Sequence, residues 1–349
     1  MINSDCEKIT VKASLDYEVL IGSGLINKAG ELISKVIDAK KIAVITDDVV
    51  DSLYFEALKN SLLPLGYEII KYVFANGEKS KNIETYSNIL EFLAQNQMTR
   101  SSAIIALGGG VVGDVAGFIS ATYMRGIKYV QIPTTLLAQI DSSVGGKTAV
   151  DLPSGKNLVG AFYQPSLVIC DTDTLKSLDD SVYKCGMGEV AKYAILDKKV
   201  FELINQTEYD LKELIYRCID YKRQIVESDE FESGNRKLLN LGHTLAHAVE
   251  RISGYEIPHG IAVAIGLNEI VKASFKNGYI NDEHKNAILN AIIKCVGEIE
   301  NTFDLEKLCQ ITLSDKKRSG NKISLVTIHG VGDCRIEDIS VDKVLEFYR

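Results

Sequence analysis

No stretch of this chain approaches the roughly 18 consecutive apolar residues that a membrane-spanning helix needs, which excludes an integral helical membrane protein. The opening Met-Ile-Asn-Ser-Asp-Cys-Glu-Lys mixes charges and lacks the apolar segment of a secretory signal. Proline is scarce, with five residues, and no low-complexity run occurs, so the composition is that of an ordinary folded protein. Cysteine forms no Cys-x-x-Cys pair. The seven cysteines (Cys6, Cys170, Cys185, Cys218, Cys295, Cys309 and Cys334) are odd in number, which argues against a disulfide framework or a cysteine zinc site and for reduced thiols in a cytoplasm. Positive charge is in deficit. A net charge of −8 excludes a general nucleic-acid surface but leaves room for a locally basic pocket.

What is present is periodicity. At 349 residues the chain is long for one core, so two domains are expected. Lys8–Ala13 and Tyr17–Ile21 read as an opening hairpin, followed by β-rich runs at Lys41–Thr46, Glu68–Phe74, Ala103–Leu107, Tyr129–Ile132 and Leu167–Cys170. Helical patterns lie between them, around 25–37, 51–63, 81–97 and 111–122. This alternation predicts a Rossmann-like nucleotide-binding α/β domain over residues 1–178, with a mostly parallel sheet covered on both faces. Beyond Leu178, helical spacing dominates 183–205, 209–230, 234–252, 260–277, 282–297 and 304–313, interrupted late by Ile323–Ile328 and a glycine turn that suit a small hairpin. Residues 179–349 are therefore expected to form a mainly helical domain, with a ligand cleft between the two.

The strand Ala103–Leu107 runs into Gly108-Gly109-Gly110-Val111-Val112-Gly113-Asp114 and then a helical pattern. Glycines there let a backbone approach a pyrophosphate, and free N–H groups at the helix start attract its charge. A tight strand–helix turn needs glycine for steric reasons alone, so the motif by itself is weak. The acid expected about 20 residues further on is missing. That region reads Gln131-Ile132-Pro133-Thr134-Thr135, although Asp47 follows an earlier strand. Residues 125–160 are dense in polar groups, including Arg125, Asp141, Lys147 in Gly145-Gly146-Lys147-Thr148, and Lys156-Asn157 after Gly155. Glycine-flanked lysines suit a phosphate, and equally a solvated loop. Gly-Gly-Lys-Thr lacks the earlier glycine of a P-loop, which excludes that class of ATPase.

His243 and His247 lie four apart on a helical pattern, and His259 follows in Pro258-His259-Gly260. Two imidazoles one turn apart are a usual start of a metal site, and three ligands with an open position suit a catalytic zinc. Three of five histidines fall within 17 positions, which weighs against three independent structural histidines; His284 and His329 have no such company. Spacing alone points to His243, His247 and His259 as the ligands. Glu189 near the start of the helical half also allows a His₂Glu set. Thr244 excludes the His-Glu-x-x-His protease pattern.

Taken together, Gly77-Glu78-Lys79, the glycine loop, Ala121-Thr122-Tyr123-Met124-Arg125-Gly126, Ile132-Pro133-Thr134-Thr135-Leu136, Gln139 to Lys147, Gly155-Lys156-Asn157, Glu189-Val190-Ala191-Lys192-Tyr193, Leu239 to Thr244 and Asp315-Lys316-Lys317 resemble the 3-dehydroquinate synthase family of sugar phosphate cyclases, in family order from about residue 40 to 330. The resemblance implies conversion of 3-deoxy-D-arabino-heptulosonate 7-phosphate to 3-dehydroquinate with release of phosphate, in the shikimate pathway of aromatic amino acid biosynthesis. It implies NAD and a divalent metal, Zn²⁺ or Co²⁺, as cofactors. It also implies a cytoplasmic homodimer, with no membrane or nucleic-acid partner.

Carried onto this chain, the resemblance makes Glu189, His243 and His259 the metal ligands. It moves His247 to the leaving phosphate, in binding and proton transfer. Lys147, Asn157, Asn240 and a lysine of Lys316-Lys317 would also hold that phosphate, and Arg125 would reach it from a neighbouring subunit. Lys222 and Arg236 would hold the substrate carboxylate, while Asp141 and Lys192 would contact hydroxyls. NAD would be lined by Asp47, Glu78, Lys81, Gly110, Val111, Val112, Gly113, Asp114, Thr134, Thr135, Lys147, Lys156, Thr174, Leu175, Lys176 and Ser177. The chain departs from the family pattern at Asp151-Leu152-Pro153 (Asn-His-Pro), at Gly188 (alanine) and at Ala246 (glycine), none of which removes a charge the chemistry needs. Two alternatives share features with this reading. One is another cyclase such as 2-deoxy-scyllo-inosose synthase; the other is a metal-dependent glycerol or alcohol dehydrogenase.

Overall fold

The computed structural model describes residues 6–316 and 321–349, with side chains described to residue 313 and from residue 321 onward. Two compact units are present. The first runs to Leu178 and takes in Lys222–Glu230; the second comprises Asp179–Tyr221 and Phe231–Arg349.

The first unit is built on seven strands: β1 (Glu7–Val11), β2 (Tyr17–Gly22), β3 (Lys41–Asp47), β4 (Glu68–Phe74), β5 (Ala103–Gly108), β6 (Lys128–Pro133) and β9 (Leu167–Asp171). They lie in the order β1-β2-β9-β6-β5-β3-β4, with β1 antiparallel to β2 and every other pair parallel. Parallel strands covered on both faces read as continuous apolar runs, and this one does so most clearly in β3 and β5. Ile42 and Val44 enter one core with Ile33, Phe55, Leu58 and Leu62. The alternating Ala43 and Ile45 enter the opposite core with Ile89, Leu93, Val115 and Ile119. The helices carrying those residues are α1 (Ala29–Ile33) and α2 (Asp48–Leu62) on one face and α3 (Ile83–Gln95) and α4 (Gly110–Thr122) on the other.

One element of this unit has no counterpart in the sequence reading. The polar stretch after Gly146 forms a separate antiparallel ribbon, β7 (Lys147–Leu152) against β8 (Gly155–Phe162). Its burial alternates only loosely, so no apolar run marks it.

The second unit contains α5 (Asp180–Leu196), α6 (Lys198–Ile204), the first part of α7 (Leu211–Ser228), α8 (His243–Ile252), α9 (His259–Lys276), α10 (Asp282–Val296), α11 (Leu305–Lys316) and α12 (Val344–Tyr348). The hairpin β10 (Lys322–Gly330) and β11 (Asp333–Ser340) completes it. The expected helix 183–205 is two helices, because Asp197 is extended and its carboxylate caps α6 through the Lys199 N–H at 2.7 Å. The expected helix 234–252 is likewise divided. A 3₁₀ turn covers Asn235–Asn240, and Gly242, at φ +78°, breaks the path before α8.

Sequence periodicity assigns all of 209–230 to the helical half, but Lys222–Glu230 packs with the first unit. Glu227 accepts from the Lys12 N–H at 2.9 Å, and Glu230 accepts from the Ser14 N–H at 2.7 Å and from Gln164 Nε2 at 2.8 Å. These long-range polar contacts leave no trace in helical spacing. No helix among the described residues is long and apolar enough to cross a membrane.

Candidate active site

Glu189 sits in the middle of α5, within a run from Gly186 to Leu196 that is buried throughout. His243 opens α8 and His259 opens α9. Among the described residues, one set of His, Cys, Asp and Glu donors converges, with its ligand atoms all within 4.8 Å of one another: Glu189, His243 and His259. Glu189 Oε1 is 3.1 Å from His259 Nε2 and 3.4 Å from His243 Nε2. Metal–ligand bonds of about 2.0–2.1 Å in a tetrahedron put ligand atoms about 3.3 Å apart, so both separations fit a zinc-sized ion. The second ring nitrogens are also engaged. His243 Nδ1 lies 3.1 Å from the Leu241 carbonyl, which receives its N–H, and His259 Nδ1 lies 3.4 Å from Glu250 Oε2. Both rings thus turn Nε2 toward Glu189, the arrangement expected of imidazole ligands.

The electrostatics suit a cation. Burial pushes the Glu189 pKa up, but Lys192 and His243 outweigh it and hold the carboxyl well below its ordinary range. Lys192 is 1% exposed, and its Nζ lies 2.6 Å from Glu189 Oε2 and 4.6 Å from the Tyr193 ring centre. His247 stands apart from the converging set, although its ring centre is 5.7 Å from that of His243 and 6.5 Å from that of His259. The structure therefore joins two histidines and an acid from three helices rather than the three histidines that spacing alone favours.

Two further polar residues of this unit are held nearby in sequence. Arg236, 1% exposed, lies in the Asn235–Asn240 turn, and Asn240 donates to Glu232 at 2.8 Å. Glu232 and Glu250 were absent from the sequence candidates. A signal existed for Glu250: it lies seven residues after His243, on the same helix face. Lys316 ends α11 with its side chain undescribed, and Lys317 lies outside the described residues.

In the first unit a second polar cluster forms. Lys81 Nζ donates to Asp114 Oδ2 at 2.5 Å and to Asn157 Oδ1 at 2.6 Å. Burial works against the Lys81 charge, but Asp114 and Glu78 outweigh it and raise its pKa. Asn157 holds a left-handed φ of +56°, stabilised by its N–H to Asp151 Oδ1 at 2.7 Å. Lys156 lies 3.5 Å from Glu78, while Lys147 is exposed at the start of β7.

The glycine loop ends β5, and α4 begins at Gly110 with Val111, Val112, Gly113 and Asp114 in its first turns and no side-chain cap. Thr134 Oγ1 is buried without a protein partner, and Thr135 Oγ1 accepts from the Ala138 N–H at 3.2 Å. An uncapped helix start and an orphaned hydroxyl are donors of the kind a nucleotide phosphate uses. Asp47 Oδ1 caps α2 through the Val50 N–H at 2.9 Å. Thr174 and Leu175 are buried, Lys176 pairs with Asp173 at 2.7 Å, and Ser177 hydrogen-bonds Tyr54.

The remaining candidates in this unit are Asp141, Lys222 and Arg125. Lys222 is paired with the Asp141 carboxylate and also donates to the Asp141 carbonyl at 2.7 Å, so two residues with separate expected roles share one ion pair. Arg125 is exposed with φ +66°, beside Met124 at +51°. Two successive left-handed residues without glycine are uncommon.

The fold matches that of 2-deoxy-scyllo-inosose synthase complexed with carbaglucose-6-phosphate, NAD⁺ and Co²⁺, with a TM-score of 0.85 at 24% identity over 98% of this chain and 99% of that one. It matches equally 2-epi-5-epi-valiolone synthase from Streptomyces hygroscopicus with NAD⁺ and Zn²⁺ bound, at 0.85 and 23% identity over 98% of each chain. Both are sugar phosphate cyclases, and the fold is theirs. Models of the N-terminal and C-terminal parts of 3-dehydroquinate synthase match residues 71–185 and 186–318. The 3-dehydroquinate synthase of Clostridium acetobutylicum is 45% identical over 343 residues, 95% of this chain and 96% of that protein. The chain belongs to the 3-dehydroquinate synthase family.

Proposed function

We propose that this enzyme converts 3-deoxy-D-arabino-heptulosonate 7-phosphate to 3-dehydroquinate and phosphate. The observation that carries the reading is the convergence of Glu189, His243 and His259, whose donor set and spacing fit Zn²⁺ or Co²⁺. NAD is assigned to the first unit, where the uncapped start of α4 and the Thr134 hydroxyl fit its phosphates. When bound, NAD⁺ would supply hydride chemistry at one substrate carbon, and a metal ion held by Glu189, His243 and His259 would supply Lewis acidity there.

The chain's own residues bind, orient and move protons. Oxidation of the substrate hydroxyl to a ketone acidifies the neighbouring C–H, and phosphate then leaves. His247, beside the metal set but outside it, is proposed to bind the departing phosphate and carry its proton. Lys147, Asn157, Asn240, a lysine of Lys316-Lys317 and Arg125 of a second subunit are proposed for the same group. The fork of Arg236 suits the carboxylate. Lys192, fixed on Glu189, is proposed to hold a substrate hydroxyl near the metal oxygen ligand. Re-reduction, ring opening and aldol closure follow in the substrate, which the site serves by holding one reactive conformer.

A cytoplasmic homodimer belongs to the same proposal. Seven free cysteines support the reducing compartment. The test is substrate choice: phosphate release from the heptulosonate phosphate is expected and release from glucose 6-phosphate is not. The reverse result would assign the chain to another cyclase activity.

A further inference from the structure

We propose that Glu250 is a positioning residue that fixes the His259 ring for metal binding. The inference rests on the metal-centre reading above. Glu250 lies two turns along α8 from His243, is 4% exposed, and places Oε2 3.4 Å from Nδ1 of His259. A carboxylate is costly to bury without a partner, and His259 Nδ1 is a partner it faces. On its other side the same ring presents Nε2 to Glu189 Oε1 at 3.1 Å. The imidazole is therefore held between two carboxylates from two different helices, one at each nitrogen. Only the Glu189 side belongs to the converging donor set.

A carboxylate at Nδ1 keeps the proton on that nitrogen and leaves the Nε2 lone pair for the cation. It also sets the ring plane and makes the ligand nitrogen more basic. His243 reaches the same tautomer with a backbone carbonyl, from Leu241. The two histidine ligands are thus oriented by unlike partners, one neutral and one charged. His259 opens its helix immediately after Pro258, and the carboxylate at its Nδ1 comes from α8.

The experiment measures metal affinity in the full-length protein by competing Zn²⁺ against a chromophoric chelator. Parent, Glu250→Gln and Glu250→Ala are compared, with the visible spectrum of the Co²⁺ forms as a second readout. Glutamine keeps an acceptor and loses the charge, so a loss of about tenfold in Zn²⁺ affinity is expected. Alanine loses both, and a loss nearer 100-fold is expected, in line with other outer partners of metal ligands. The Co²⁺ bands should shift in both variants, while the metal-free melting temperature of Glu250→Gln stays near the parent's. Affinities within twofold of the parent and unshifted Co²⁺ bands would overturn the proposal.

Should either variant fail to fold, long-range proton–nitrogen NMR of the histidine-labelled, Zn²⁺-loaded parent decides the matter. A protonated Nδ1 and metal-bound Nε2 at His259 are expected; metal on Nδ1 would overturn the role. A parent that binds no Zn²⁺ would instead refute the metal-centre reading itself.

Discussion

Gly188 and Gly260 meet backbone to backbone: a Cβ on Gly188 would overlap the Gly260 carbonyl oxygen, and one on Gly260 would overlap the carbonyl oxygen of Cys185. Glu189 and His259 are their immediate neighbours in sequence, so the close crossing of α5 and α9 sets the reach between two proposed ligands. The same device recurs at the third ligand, where a Cβ on Gly266 would overlap the carbonyl oxygen of Gly242, beside His243.

Forcing that crossing apart is expected to damage both stability and metal binding. Gly260→Ala should cost roughly 1–3 kcal/mol by overpacking, and it should weaken Zn²⁺ binding as α9 moves from α5. Thermal unfolding with and without Zn²⁺ checks both. A melting temperature and Zn²⁺ affinity equal to the parent's would show that the crossing is slack.

The two histidines one turn apart on α8 should behave differently. His243→Ala removes a member of the converging set and is expected to abolish stoichiometric Zn²⁺ binding. His247→Ala is expected to retain Zn²⁺ and lose turnover. Metal content after gel filtration, measured alongside phosphate release, separates the cases. Equal loss of Zn²⁺ in both variants would restore the three-histidine site.

The Lys81–Asp114 pair tests the nucleotide cluster. Removing one partner of a buried pair leaves a charge uncompensated, which costs 3–5 kcal/mol when burial is complete; the part-exposed Asp114 brings the expectation for Asp114→Asn to roughly 2–3 kcal/mol. NAD⁺ affinity should fall as well. Denaturant midpoints and NAD⁺ titration of the same variant check the two effects, and an unchanged NAD⁺ affinity would remove the pair from the cofactor site.

Alkaline pH should destabilise the fold. Burial pushes the thiols of Cys295 and Cys334 up to about 12 and that of Cys309 up to about 11, from an ordinary 9.0. In the unfolded chain these thiols ionise near 9.0, whereas the folded chain keeps its protons, so the unfolded state gains as pH rises through that window. Each such thiol contributes a loss of about 1.4 kcal/mol per pH unit there. Urea midpoints at rising pH should fall above 9; a flat profile would contradict the burial of these groups.

Much of the fold was legible because parallel strands and helices announce themselves by period. Glu68–Phe74 is a strand over the same residues that its β-rich run marks, and β3, β5, β6 and β9 extend their runs by one or two residues. The ribbon β7–β8 was not legible, since its polar and glycine-rich strands carry no apolar alternation, only a short buried stretch from Thr148 to Val150. The breaks at Asp197 and Gly242 were hidden for a different reason: apolar spacing continues across them, and only a cap or a left-handed φ stops the helix.

For the site, bare spacing departs from the folded arrangement. It paired His243 with His247, whereas the structure draws His259 and a buried Glu189 to His243 from other helices. That choice depends on helix crossings, which periodicity does not encode; the family resemblance had the same three residues. The Asp141–Lys222 pair was invisible for a similar reason, being 81 residues apart in sequence.

The central claim is that NAD acts as a recycled cofactor in a phosphate-releasing cyclisation. Incubating the Zn²⁺-loaded protein with excess heptulosonate phosphate and less NAD⁺ than enzyme sites tests it most directly. Phosphate and 3-dehydroquinate should each exceed the NAD⁺ supplied many times over, with no NADH accumulating. Product that stops at the amount of NAD⁺, or NADH that rises in step with it, would contradict the account and place the chain among dehydrogenases.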